Sequence, residues 1–365
     1  MTTLLASECL YERVDQKHPE GPGHSIIKAI GELNPSLGQY VRSLSLERLE
    51  NRWIDEGAKD WVYNERAGNL FARVLRSVVN VQNINLGFLT EIGVWRDSIP
   101  EDYNRVEVFD DAVRGCLDGP SQWFEQLTTL SIDADAIMQI RDISSVFMLP
   151  AIKFLSLWNF TEEAPITDWA IEKSCSTIGI LQLNCSALQN MVVAQIVESL
   201  NSLESFDYTY DTEHVSAGYE LCWAEILMAL SQHRLSLQSL GLGELTYEAK
   251  RGGLLGCMKD FLNLEQLRVE LGMLIDLTIG DIDIGRTLTP DIKSLSLDFK
   301  AESRFASLYG PAIASLGGSV FKQDKKFLHI HSDTSHMCLG NLQLSKHIKT
   351  LLYAGLTTSL SEMEG

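Results

Sequence analysis

A short pattern of apolar positions recurs along the chain. It consists of an apolar residue, two further residues, a second apolar residue, one further residue and a third apolar residue. The clear copies begin at Val41, Val81, Leu127, Ile152, Ile178, Leu203, Leu237, Leu264 and Ile292, and a weaker tenth lies at Leu328–Ile330. Alternate residues of a β-strand share a face, so the last two apolar residues of each copy lie together on one side of a strand. The pattern therefore predicts nine or ten short strands.

The spacing of the copies indicates a structural repeat. Five of the eight steps between the middle apolar residues of the clear copies are 25–28 residues long, as from Leu130 to Leu155. The residues between strands suffice for a turn, a helix and a return. Helical spacing of apolar residues is present at Asn69–Asn80, Gln189–Leu200 and Ala217–Leu230. Strand–helix units of this size bury their apolar faces by stacking, which predicts a parallel sheet and a solenoid.

Two longer steps, near the start of the repeats, predict insertions. The insertions are expected around Ile54–Ala67 and Trp95–Pro120. We expect these segments to protrude from the repeats as loops that could gate the strand face.

The repeating units resemble leucine-rich repeats of the long, helix-containing type, from Val41 to Phe299. The resemblance implies an α/β leucine-rich-repeat solenoid (horseshoe) of about nine or ten irregular strand–helix repeats, with a parallel sheet on the concave face. The family consensus has Asn or Cys three residues after the last strand leucine. This chain holds other residues there, for example Phe160 and Ser186. The turns must therefore be hydrogen-bonded in another way, and we expect the horseshoe to be irregular.

The N-terminal region resembles the segment that follows the F-box in fungal F-box proteins. The matching stretches are Cys9-Leu-Tyr-Glu-Arg-Val-Asp15, Ile26–Ile30 and the entry to the first repeat at Asn34–Leu46. The resemblance implies descent from the substrate receptor of a ubiquitin ligase. A full F-box has about 40–50 residues, whereas fewer than ten precede Leu10. Binding of a Skp-type adaptor is therefore expected only if a further helical segment lies upstream of Met1.

These patterns predict three parts of the chain. Residues 1–40 form an N-terminal helical cap with an F-box remnant, residues 41–357 form the leucine-rich-repeat domain, and residues 358–365 form a disordered tail.

Charge and cysteine content narrow the choice of partners and compartment. The net charge of −19 disfavours nucleic acid and anionic membranes, which usually bind clustered basic residues. No apolar stretch approaches the roughly 20 residues of a membrane span. The seven cysteines are odd in number and include no C-x-x-C pair, which favours reduced thiols in the cytoplasm or nucleus.

Signals for chemistry are weak throughout the sequence. His329 and His331 share a strand face and could bind a metal together with His336 or Cys338, although the spacing matches no established zinc signature. A strand with outward polar residues explains these histidines better. The glycine-rich stretch Gly252–Cys257 lacks the ending of a phosphate-binding loop and is interpreted as a turn into a helix that ends near Phe261. We therefore predict no enzyme activity, no cofactor and no resident metal.

The predicted functional residues lie on the strand face opposite the buried leucines. Phe154 and Trp158 are large aromatic residues at outward positions, where exposed aromatics are typical of binding sites. A loop from the insertion at Asp97–Gly119 that covers them is the competing interpretation. The predicted partner-binding residues are Phe154, Trp158, Asp133, Asp207, Arg268, Glu270 and Asp298.

The acidic residues of this face allow two interpretations. Together with Glu47, the four acidic residues of the predicted set form a strip that could steer a basic partner. A solvated polar surface is the alternative.

The sequence as a whole predicts a protein–protein interaction scaffold that resembles the substrate-recognition arm of an F-box receptor. A free-standing leucine-rich-repeat binding protein with no ubiquitin role is the alternative. A metal-dependent enzyme is a remote third possibility.

Overall fold

The fold is α/β with a mostly parallel open sheet. A computed structural model describes residues 12–16, 26–46, 65–87, 105–118, 124–134, 138–162, 164–167, 169, 171–211, 221–244, 253–274, 288–289, 292–299, 327–333 and 358–361. The chain divides into two compact units. The first comprises residues 1–186 and 199–201, and the second comprises residues 187–198 and 202–365.

The strands of the first unit lie side by side in nearly sequential order, β1-β2-β3-β4-β5-β7, with β6 beside β7. They are β1 (Arg13–Gln16), β2 (Ser43–Leu46), β3 (Asn83–Gly87), β4 (Thr129–Asp133), β5 (Phe154–Trp158), β6 (Thr161–Glu162) and β7 (Ile180–Leu188). From β1 to β7 each pair along this order is parallel. The middle apolar residues of the repeats are direct register partners, as Leu130 is of Leu155, and both are fully buried. The repeat spacing of the sequence therefore corresponds to a ladder of stacked leucines.

Helices cover the apolar side of this sheet. They are a π-helix at Ala29–Leu33, a 3-10 helix at Pro35–Tyr40, α1 (Glu65–Ser77), α2 (Arg105–Asp118) and a 3-10 helix at Ile140–Met148. The helix α1 packs against Ala29–Leu33 on one side and against α2 on the other, and α2 packs against Ile140–Met148. The helices therefore stack beside one another in the same order as the strands.

The second unit repeats the same arrangement. Its strands β8 (Ser205–Tyr210), β9 (Ser239–Glu244), β10 (Gln266–Glu270), β11 (Ser294–Phe299), β12 (Phe327–Asp333) and β13 (Thr358–Ser361) lie in sequential order. Each neighbouring pair is parallel. Its helices are α3 (Asn190–Ser199), α4 (Trp223–Leu230), a 3-10 turn at Ser231–His233 and the short α5 (Leu271–Leu274).

An aromatic cluster fills the core of the second unit. Tyr208 is fully buried and lies edge-on to Trp223, with ring centroids 5.9 Å apart. Its hydroxyl donates to the Leu188 carbonyl at 3.0 Å and accepts from the Leu188 N–H at 3.2 Å. Burial raises the pKa of Tyr208 well above its ordinary value. The hydroxyl therefore serves as a neutral link between β8 and the entry to α3.

Backbone hydrogen bonds at the strand entrances join neighbouring strands in one repeated pattern. The Arg42 carbonyl accepts from both Gln82 N and Asn83 N, at 2.8 and 3.1 Å, and the Gln82 carbonyl accepts in the same way from Thr128 N and Thr129 N. The pattern continues in the second unit at the carbonyls of Glu204, Gln238 and Glu265. At the other end of one strand, Ser186 stands at the consensus position. Its Oγ accepts from Phe160 N at 3.2 Å. A serine hydroxyl therefore bonds the backbone of the turn after β5, and the expectation for the other turns stays a prediction.

The predicted strands and three predicted helices are confirmed, with shifted ends. The helix expected at Asn69–Asn80 begins earlier, at Glu65, and the one expected at Gln189–Leu200 is α3. The helix expected from Ala217 is described only from Trp223, because residues 212–220 lie outside the described chain.

The predicted ends of the chain need correction. Residues 1–40 were expected to be helical, but Arg13–Gln16 forms the strand β1, with Val14 fully buried opposite Leu44. The tail from residue 358 was expected to be disordered, but Thr358–Ser361 pairs with β12 as β13. Both segments add to a sheet edge, where unpaired backbone groups recruit a further strand.

Two predictions between the strands were also wrong. The insertion expected at Trp95–Pro120 contains the helix α2, whose buried Phe109, Ala112 and Val113 are spaced to form one apolar face. The helix expected to end near Phe261 is absent from residues 253–262. Gly253 and Gly256 have φ values of +76° and +93° there, which a right-handed helix excludes. Within the insertion expected at Ile54–Ala67, residues 54–64 lie outside the described chain.

Candidate functional site

The outward face of the sheet carries the predicted partner-binding residues. This face is the strand surface opposite the buried leucines, and the alternation of buried and accessible residues in β4 and β8 defines it clearly. Most of its side chains are small and polar, including Ser45, Asn85 and Ser131. Larger groups therefore mark two places on it, one in each unit.

The first place is a patch around Trp158 that we call the tryptophan patch: Asp133, Ser156, Trp158 and Asn184. Trp158 is 40% exposed, and its indole Nε1 donates to Ser156 Oγ at 3.0 Å. Asn184 Nδ2 donates to the same oxygen at 3.5 Å. Ser156 points outward yet is only 3% exposed, because the indole and the amide cover it. The indole is therefore held against the strand by its polar edge, and its exposed surface is aromatic carbon.

Asp133 lies directly beside Trp158 in the tryptophan patch. The two are register partners on β4 and β5, and Gly87 is the partner of Asp133 on its other side. Asn159 Nδ2 donates to Asp133 Oδ1 at 2.7 Å. Asn159 has a φ of +61°, a left-handed conformation that asparagine tolerates better than most residues. The turn after β5 therefore orients the carboxylate.

Phe154 lies at the other end of β5. It is four residues before Trp158, so both residues are on the outward face, but Phe154 is half-buried. Trp158 is therefore the more accessible of the two predicted aromatic residues.

The segment Asp97–Gly119 was the alternative cover for Phe154 and Trp158. The part of it that the structure describes lies away from these aromatics. Ser145 in the helix Ile140–Met148 donates to Asp110 of α2, which places α2 in the helical layer. The rest of the predicted cover, residues 97–104 and 119, lies outside the described chain.

The second place is an ion pair that spans a strand. Arg268 Nη2 on β10 donates to both carboxylate oxygens of Asp207 on β8, at 2.7 and 2.8 Å. Gly241 on β9 is the register partner of both residues. A Cβ at Gly241 would lie 2.8 Å from Asp207 Oδ2, so only glycine leaves room for the pair. Asp207 and Arg268 therefore neutralise each other across β9.

Glu270 is the next outward residue of β10. It lies level with Gly243 of β9, where an added Cβ would meet nothing within 4 Å. One carboxylate oxygen of Glu270 accepts from the Glu244 N–H at 2.8 Å, and the buried Glu244 side chain accepts from Trp223 Nε1 at 3.0 Å. Asp298 is the register partner of Glu270 on β11, but its side chain is not among those described. Gly243 therefore leaves open space on this part of the face, beside the hydrogen-bonded carboxylate of Glu270.

These contacts change the interpretation of the acidic strip. Among its described side chains, Asp133 is bonded by Asn159, Asp207 by Arg268 and Glu270 by the backbone of Glu244. Glu47 lies outside the described residues. The described carboxylates therefore act mainly as acceptors held in place by their neighbours, and they do not form a row of unpaired charges.

The histidine cluster lies at the edge of the described chain. His329 and His331 are two residues apart on β12, but their side chains are not described, and His336 and Cys338 lie outside the described residues. Among the side chains that are described, no three His, Cys, Asp or Glu residues are grouped as a metal site. In the same part of the chain, no helix has the length and apolar character to cross a bilayer.

A polar crevice is present at the amino ends of β1, β2 and β3. It has a volume of about 700 Å³ and is lined by Glu12, Arg13, Arg42, Ser43, Gln82 and Asn83. The Arg42 guanidinium donates to the carbonyls of Gln39 and Asn80, at 3.3 and 3.2 Å. Its charge is therefore used to join the strand entrance to the turn after α1.

Three residues outside the predicted partner-binding set shape the two places. Asn184 and Asn159 in the first unit, and Gly241 in the second, complete the contacts of the predicted residues. Superposing the repeats would have revealed two of them, because Trp158 and Asn184 occupy equivalent strand positions, as do Asp207, Gly241 and Arg268.

No protein-family model matches this chain, and no curated protein matches its sequence.

Proposed function

We propose that this chain is an irregular leucine-rich-repeat solenoid that acts as a protein-binding scaffold, with the outward strand face as its binding surface. The observation that carries the proposal is Trp158, an indole held in place by hydrogen bonds yet 40% exposed on a polar strand surface. Rigid aromatic residues of this kind are frequent among the residues that dominate binding energy at protein interfaces.

The regular order of the strands supports the scaffold. Parallel strands in constant register bring residues from distant parts of the sequence into one surface, as Asp133, Trp158 and Asn184 illustrate. Such a surface recognises a partner by the combined shape and chemistry of many strands.

The narrower proposal is a substrate-recognition arm of a ubiquitin ligase. It rests on the N-terminal sequence resemblance to F-box proteins. Affinity capture of the longest natural form of the protein tests it, because a substrate receptor is expected to recover a Skp-type adaptor in stoichiometric amount. Recovery of other partners without the adaptor would leave the free-standing scaffold and reject the ligase role.

The scaffold proposal is tested by quantitative affinity capture with two matched variants. Trp158→Ala removes the exposed indole, and Met148→Ala removes a side chain that is also 40% exposed but lies at the end of the helix Ile140–Met148. We expect Trp158→Ala to reduce recovery of specific partners about tenfold or more, since aromatic residues at interface centres typically contribute 2 kcal/mol or more. Met148→Ala should recover them at the wild-type level. Equal recovery by both variants would reject the outward face as the binding surface.

A further inference from the structure

Gly243 on β9 is a glycine that the contacts within the described chain do not require. Its φ lies outside the left-handed region, and a Cβ added to it would meet nothing within 4 Å, so neither conformation nor packing excludes a larger residue. Glycine inside a strand weakens the strand, and it often marks a place where a ligand or another chain approaches the backbone closely. We propose that the space above Gly243 receives an aromatic side chain of the protein partner, which stacks on the guanidinium of Arg268. This inference rests on the proposed function and names the chemistry of the partner.

The glycine two residues earlier in β9 has a different explanation. At Gly241, an added Cβ would lie 2.8 Å from Asp207 Oδ2, so the ion pair between Asp207 and Arg268 requires a glycine there. Gly243 lies beyond that pair, about 7 Å further along the same face of the strand. The ion pair therefore accounts for Gly241 and leaves Gly243 to be explained by something outside the chain.

The space above Gly243 is accessible from solvent. Gly243 itself is partly exposed, and the side chain of Arg268 is 49% exposed. Thr209 on β8 and Glu270 on β10 are level with Gly243 on its two sides. The result is a shallow depression with the backbone of β9 as its floor, neighbouring strands at its sides and the ion pair at one end.

The groups around this depression favour a flat, uncharged ligand. Arg268 uses Nη2 for both contacts with Asp207, so its charge is compensated while the side chain stays exposed. A guanidinium stacks on aromatic rings, whose faces carry negative charge density. A basic ligand would be repelled by Arg268, and the net charge of −19 opposes an acidic one. An aromatic ring therefore matches both the shape of the depression and the cation at its end.

The test is a titration of the full chain with two small probes, followed by NMR. N-acetyl-phenylalanine amide carries a phenyl ring, and N-acetyl-cyclohexylalanine amide carries an apolar ring of similar size without π-electrons. The chain is isotopically labelled at glycine and arginine. Among the 26 glycine signals, that of Gly243 is assigned as the one that Gly243→Val removes, and the Arg268 Nε–H signal is the one that Arg268→Met removes.

The proposal predicts a saturable shift of both signals with the phenylalanine probe. The Arg268 Nε–H signal should move upfield, as a ring face stacked on the guanidinium requires. The cyclohexyl probe should bind about threefold more weakly or worse, because it lacks the attraction between a cation and a π-face.

Two variants separate the contribution of the space from that of the cation. Gly243→Val fills the space and should weaken binding of the phenylalanine probe about tenfold, read from the Arg268 signal. Ser239→Val is the matched control, because it adds valine to an outward position of β9 on the other side of the ion pair, and it should leave the affinity within about twofold. Arg268→Met should bind the two probes equally, read from the Gly243 signal.

The stability of Gly243→Val tests the premise that the fold does not require this glycine. Valine favours strands and has room at this position, so the variant should be at least as stable as the wild-type chain in chemical denaturation.

Three results would overturn the proposal. The first is equal binding of the two probes, or no saturable shift, in the wild-type chain, which needs no variant to fold. The second is equal weakening by Gly243→Val and Ser239→Val. The third is a loss of stability in Gly243→Val, which would show that the fold itself requires the glycine.

Failure of this inference is distinguishable from failure of the proposed function. If Trp158→Ala abolishes partner capture but the phenylalanine probe does not bind, the scaffold stands and the aromatic assignment falls. If the probe binds as predicted but neither Trp158→Ala nor Gly243→Val changes capture, the local chemistry stands and the scaffold proposal falls.

Discussion

The imidazole of His233 joins three separate segments of the second unit. Its Nδ1 accepts from Leu203 N at 3.3 Å, and its Nε2 lies 3.1 Å from the Val197 carbonyl at the end of α3. These partners fit a neutral ring with the proton on Nε2, because an acceptor at Nδ1 must be unprotonated. Burial lowers the pKa of His233, and the bond to Val197 offsets part of that shift.

This buried histidine predicts a pH-dependent stability. Since the folded-state pKa is below the ordinary value of about 6.5, the unfolded chain takes up the proton first as the pH falls. The contribution of His233 to the free energy of unfolding should be fully present above about pH 6.5 and lost as the pH falls through the lowered pKa. Denaturant titrations between pH 5 and 8 measure it.

The variant His233→Gln isolates this contribution. We expect it to be less stable at neutral pH, because the bond from Leu203 is lost, and to show a shallower fall in stability below pH 6.5. An unchanged pH dependence would show that His233 does not titrate in this window.

At the scale of elements, a buried ion pair fixes the helix Ile140–Met148 to the sheet. Glu162 on β6 is fully buried and accepts from Arg141 through the guanidinium, with Nε at 3.0 and 3.1 Å from its two oxygens. It also accepts from the Arg141 backbone N–H at 3.4 Å. The side chain of Arg141 remains half exposed. The helix start is therefore bonded by both the backbone and the side chain of one residue.

Removal of the Arg141 guanidinium should lower the free energy of unfolding more than removal of the cation from an exposed ion pair. Arg141→Met leaves a buried carboxylate without its cation, and we expect a decrease in unfolding free energy of about 2 kcal/mol. Lys293→Met is the control, because Lys293 pairs with Glu265 at 2.5 Å and both side chains are exposed, and it should cost less than about 1 kcal/mol. Chemical denaturation of both variants gives the comparison. Equal costs would contradict a fixing role for the buried pair.

The strands were predictable because their signal is local and repeated. Each copy places two buried apolar residues two positions apart, and the step that recurs between most copies predicts a parallel sheet. The helix α2 was missed because its position in a long step suggested an inserted loop, although Phe109 and Val113 already had helical spacing. The edge strands β1 and β13 were missed because short segments at a sheet edge gain their stability from the neighbouring strand, which sequence periodicity does not report.

The candidate site was predictable in part. The outward position of Trp158 followed from strand alternation, and its side chain is 40% exposed. The pairing of Asp207 with Arg268 joins residues 61 apart in sequence and depends on the absent side chain of Gly241. Such a contact requires the register of three strands, so the sequence pattern predicted the residues but not their mutual neutralisation.

At the scale of the whole molecule, the proposed function combines two kinds of electrostatic effect. The excess of acidic residues acts at long range and is weakened by salt, since the Debye length is about 8 Å at physiological ionic strength. The tryptophan patch acts at contact, where stacking and hydrogen bonds are much less sensitive to salt. The chain is therefore expected to attract many basic proteins weakly and to retain those that make specific contacts with the tryptophan patch.

Site-specific photocrosslinking tests the binding surface most directly. A photoreactive amino acid at Gln182 lies beside Ser156 on the outward face, and the same group at Met148 lies at the end of a covering helix. Our account predicts a discrete crosslinked partner from position 182, none from position 148, and loss of the product when Trp158→Ala is added. A product from position 148 alone, or one from 182 that survives Trp158→Ala, would contradict a partner bound at the tryptophan patch.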